Sequence, residues 1–136
     1  MFNSVDLGLL LLRVGIGLNM AIFSGWGKLT GGKEMLRMVG GSMPSFGIES
    51  MPLIWGCLAA FAEFFCSLLL ILGLSFRLAA LMLAFTMLVA VSVHLKMPEG
   101  QPFAGWHGAS HALGYLAVYI ALFVSGPGKH VLRSGK

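Results

Sequence analysis

Two ionisable residues stand deep inside long apolar runs. Arg13 interrupts a run from about Val5 to Phe23, and Glu63 lies within a run from Pro52 to Leu72. In lipid each such group costs at least about 2.5 kcal/mol on insertion scales, so it turns inward and finds a partner. At helical rise the two lie about 12 and 15 Å from the same end of their runs. Opposite charges at matching depth pair, because either one alone costs more. The expectation is an intramembrane ion pair between Arg13 and Glu63, acting as a register pin or as part of a proton or ligand path.

A second group is rich in histidine. His94 closes a third apolar run, His107 and His111 open a fourth, and Lys28 follows the first. His107 and His111 are one helical turn apart and share a face. These groups gather at one end of the chain's bundle, above Glu63. Imidazoles titrate near neutrality and relay protons, for example to a quinol. A less favoured reading has His94 and His111 holding haem from facing helices. With no HExxH pattern and no third ligand, no protein metal site is expected. Trp26, Trp55 and Trp106 fall at the same end, as an interfacial aromatic belt or as a stacking wall for a flat ligand. The candidate ligand-binding set is therefore Glu63, His94, His107, His111, Lys28, Trp26 and Trp106. Interfacial histidines with wet tips are the plain structural alternative. No nucleophile–base–acid set, phosphate loop or dinucleotide fingerprint is present, so no dinucleotide is expected. The chemistry that remains is transfer of electrons or protons, or binding of an apolar ligand.

The elements that must position these residues follow from composition. Hydrophobic residues make up 57% of the 136 and charged residues 10%, with a mean hydropathy of +0.88. A soluble domain carries about 25% charge, so lipid must be the solvent over most of this surface. The net charge of +4 is spread singly, with no basic stripe, which argues against nucleic acid. Cys57 and Cys66 fall on opposite faces of one helix and cannot join. The N-terminal run is too long for a cleaved leader and is expected to stay as an anchor.

The runs predict transmembrane helices over roughly 5–27, 52–72, 76–96 and 107–125, each long enough for a bilayer core. In lipid they must be helices, because every backbone group needs an internal partner. Short links make an antiparallel four-helix bundle, an all-α fold. Pro52 suits a first turn, Gly73 a helix end, Ser75 an N-cap, and Gly126-Pro127-Gly128 a stop. Gly8, Gly15, Gly17 and Gly114 are candidates for close helix contacts. Within the long connection 29–51, Lys33 to Val39 mixes charged and apolar residues, which predicts a short interfacial helix covering one end. Lys and Arg are almost evenly divided between the two ends, with a slight lean towards cytoplasmic termini.

With these segments in place, the chain resembles the DoxX/DoxD-like group of small bacterial membrane proteins. The matching parts are Leu10 to Leu29 (LLLRVGIGLNMAIFSGWGKL), the Ala62-Glu63 step, Leu74 to Leu81 (LSFRLAAL), His94 and Gly126-Pro127-Gly128-Lys129. The resemblance implies a four-helix membrane bundle in the bacterial cytoplasmic membrane. It also implies kinship with subunits of quinol oxidase or thiosulfate:quinone oxidoreductase systems. Arg13 and Glu63 match the family's helix-one Arg and helix-two Glu, whereas His111 stands where an acidic residue belongs. The functional expectation is a quinone-linked redox subunit working with another membrane or redox protein, or as a homo-oligomer. The alternatives are a non-catalytic assembly subunit and a small-molecule carrier or channel.

Overall fold

The computed structural model describes residues 3–132 and is built from helices, with no strand among the described residues. Four are long and apolar enough to cross a membrane: α1 (Ser4–Thr30), α3 (Pro52–Leu72), α4 (Phe76–Lys96) and α5 (Gly105–Ser125). Between the first two lies α2 (Gly32–Gly40), the interfacial helix expected in the long connection, followed by a 3₁₀ turn at Met43–Phe46. The chain is a multi-pass membrane protein. Leu11, Phe23, Phe61, Leu78, Phe85, Ile120 and Val124 all point outward, a girdle that only lipid can solvate at no cost.

The ends form as the local chemistry requires. Asn3 accepts from the Val5 amide at the start of α1, and Pro52 opens α3 where its missing N–H is not needed. Gly73 ends α3 with a left-handed φ of 75°, and Gly126 follows the end of α5. Ser75 precedes α4 but does not cap it. Its φ is 45° and its side chain accepts no amide there.

Helix α4 packs mainly on α5, and α1 packs on α3. The α4–α5 seam is filled by small residues, including Ala79, Ala80, Ala109 and Ala112, interleaved with Leu83 and Leu122. Helices α1 and α3 each contain one π turn, Met20–Gly25 and Ala62–Cys66, and the two turns lie against each other. They fit because Gly25 has no side chain. A Cβ there would stand 2.6 Å from the Phe64 amide nitrogen. Of the four glycines expected to bring helices together only Gly17 does so, while Gly8, Gly15 and Gly114 face open space.

The segment after α5 folds back beneath the bundle. Lys129 donates its amide to Asp6 at 3.2 Å, and the Leu132 amide donates to the Leu72 carbonyl at 3.0 Å. This is where Arg13 goes, and the expected ion pair is not formed. Arg13 is 2% exposed, and its Nη1 donates to the Pro127 carbonyl at 2.7 Å. The helix register puts it there: Gly17 faces Ser67 and Gly25 faces Glu63 and Phe64, so Arg13 lies about 18 Å along α1 from the level of Glu63 and beside Gly73. Removing it should therefore not be felt at Glu63. Arg13→Ala and Glu63→Gln are expected to add within about 0.5 kcal/mol in a double-mutant cycle of detergent unfolding. A coupling well above that would restore the direct pair.

Candidate ligand-binding site

The partner of Glu63 is Lys28. The lysine ammonium bonds directly to Glu63 Oε2, and Ser24 Oγ donates to the same oxygen at 2.5 Å. Lys28 Nζ also lies 3.3 Å from Ser24 Oγ, so the three form a closed cluster. Ser24 and Lys28 are one turn apart on α1 and share a face. Glu63 sits in the π turn of α3, where the extra residue of the wider turn swings its side chain towards α1. Short π segments of this sort recur at functional sites. Glu63 is 3% exposed, so its carboxylate relies on these two donors in place of water. Ser67 Oγ donates to the Glu63 carbonyl at 2.6 Å, supporting the turn from below.

Above the cluster lies a cavity of about 600 Å³. Its walls come from α3 (Trp55, Leu58, Ala59, Ala62) and α4 (Met82, Phe85, Val89, Val93), and its roof from α2 and the residues after it (Met38, Val39, Ser42, Met43). Only a few polar groups reach it, chiefly Lys28, Glu63 and His94. Volume and lining both suit a small apolar ligand oriented by a few polar contacts. His94 Nδ1 lies 2.8 Å from the Phe103 carbonyl. A carbonyl can only accept, so Nδ1 is the donor in this contact.

Of the expected ligand-binding residues, the structure therefore brings Lys28, Glu63 and His94 together. His107 and His111 are exposed on α5 and do not line the cavity; His111 stands edge-on against Tyr115, with ring centres 4.8 Å apart. Their helical spacing is as expected, but the cavity lies between α3 and α4, and α5 instead reaches α1 one turn on from His111, where the Tyr115 hydroxyl donates to Asn19 Oδ1. Trp26 (55% exposed) and Trp106 (69%) also lie outside the cavity, and Trp55 takes the place intended for them. Two residues were missed. Ser24 was legible in principle from its one-turn spacing to Lys28. Tyr119 was not: it is wholly buried, with a hydroxyl that has no hydrogen-bond partner among the described residues and lies within electrostatic reach of Glu63.

Compared with known protein families, the chain matches the DoxX model over residues 8–95. Comparisons with curated proteins and with solved structures return no match. The matched span contains Ser24, Lys28, Glu63 and His94, and ends before His107 and His111.

Proposed function

Given that the chain belongs to the DoxX family, we propose that it is the membrane-embedded, ligand-binding subunit of a quinone-linked redox system in the bacterial cytoplasmic membrane. The observation that carries this reading is the apolar cavity with Lys28, Glu63 and His94 as its polar groups. A bound quinone supplies two-electron, two-proton chemistry, and this cavity fits such a ring in both size and polarity. Lys28 donates to a carbonyl oxygen of the ring. Glu63 holds Lys28 in place and can accept the proton that a quinol hydroxyl gives up as the electrons pass to the partner. His94 accepts at Nε2 and, close to the water-facing end of α4, passes protons to solvent. The roof excludes water from the ring. A partner redox protein supplies or takes the electrons.

The test is native mass spectrometry of the protein extracted in mild detergent with ubiquinone added. The parent should carry one quinone mass. Glu63→Gln and His94→Ala should each lower its occupancy about tenfold, as expected for loss of one oriented polar contact. His111→Ala should retain it. If all three variants bind like the parent, the cavity is not the quinone site.

A further inference from the structure

The cavity has a roof at the interface and a side that faces lipid. The roof is made by Met38, Val39 and Gly40 of α2 with Ser42 and Met43 after it. Lys96 ties this roof to α4, donating to the Ser45 carbonyl at 2.6 Å with its ammonium 4.3 Å from the centre of the Phe46 ring. The side is different. Helices α3 and α4 leave a tight turn at Gly73 and diverge. The segment from the π turn to Leu72 packs against α4, whereas Pro52–Phe61 packs on α2 instead. The resulting cleft is walled by residues that also face the bilayer: Leu58 (48% exposed), Met82 (36%) and Phe85 (59%). Along α4 it runs from Met82 to His94, about 18 Å of helix.

We propose that the ligand reaches the cavity sideways from the bilayer, through this cleft, and that it is a chain-bearing amphiphile. Its head meets Lys28 and Glu63, and its tail lies between Leu58 and Phe85 and continues into lipid. This rests on the reading of the cavity as a ligand site and adds the route and the chemical class. A tail left in the cleft exchanges lipid contacts for packing against Leu58, Met82 and Phe85, and does not require the roof to open. A bare head group would have to pass the tied roof.

The experiment uses Trp55, which lines the cavity, as the sole tryptophan in nanodiscs (Trp26→Phe, Trp106→Phe). Probes are a benzoquinone with a ten-carbon tail and its tail-less parent, compared at equal mole fraction in the bilayer. The tailed quinone should quench Trp55 about tenfold more tightly, because the cleft walls pack its tail more closely than lipid does. A wedge in the cleft, Ala59→Phe, should cancel that advantage and leave the tail-less quinone unchanged; Ala90→Leu, from the facing wall, serves if the first variant does not fold. Equal binding of the two probes, or a wedge that acts on both alike, overturns the route. If neither quinone quenches Trp55, the quinone reading fails, and chain-brominated phosphatidylcholine decides the cleft. Quenching by its chains that the wedge halves keeps the lateral opening, and quenching that the wedge leaves unmoved overturns it.

Discussion

Lys28→Met should destabilise the protein by about 3 kcal/mol or more in a detergent unfolding titration, and should abolish quinone binding. The reason is the residue left behind. Glu63 is 3% exposed and keeps only the Ser24 hydroxyl once the ammonium is gone. Breaking a buried pair from one side leaves an uncompensated charge, which costs more than the pair is worth in total. Methionine preserves most of the volume and apolar stem of lysine, so the loss reports charge rather than packing. Glu63→Gln in the same chain should recover most of the stability, because a neutral amide no longer needs the cation, while binding stays lost. A Lys28→Met variant as stable as the parent would mean that Glu63 is carried protonated and that the pair does not organise the site.

Gly40→Ala and Gly56→Ala should each cost about 2–3 kcal/mol, the range of overpacked cores, and weaken quinone binding by about tenfold or more. These glycines are where α2 meets α3. A Cβ at Gly40 would stand 1.7 Å from the Pro52 carbonyl oxygen, and one at Gly56 would stand 1.8 Å from that of Leu36. Both obstacles are backbone, so the helices can only part. Since α2 is the roof of the cavity, parting them admits water to Glu63. Faster tryptic cleavage at Lys33 and Arg37 should accompany the loss. Gly114→Ala is the control. Nothing lies within 4 Å of its Cβ position, and alanine in a helix interior is neutral or slightly stabilising. Wild-type stability in the Gly40 and Gly56 variants would show that the roof is not held there.

Much of the architecture was legible from residue order alone. The four spans follow from apolar length, because lipid leaves a backbone no alternative to the helix. The short α2 follows from the alternation of charged and apolar residues between Lys33 and Val39. That Glu63 must face inward and find a cation also follows, from the cost of leaving it in lipid. Its partner does not. Counting from the ends of the apolar runs puts Arg13 and Glu63 at one depth, but the runs do not start level: α1 packs on α3 with Gly25 against Glu63 and Phe64 and Gly17 against Ser67, which leaves Arg13 about 18 Å along α1 from Glu63 and Lys28 one turn from it. The same limit separates His94 from His107 and His111. Spacing within a helix is local and was read correctly for α5. Which face of α5 meets α4, and that neither histidine there meets the cavity, depends on side-chain packing between distant segments. Residue order determined that this chain crosses a membrane with one acidic group buried in it. Only the packing of α1, α2, α3 and α4 decided that this group pairs with Lys28 at the floor of a roofed, lipid-facing cavity.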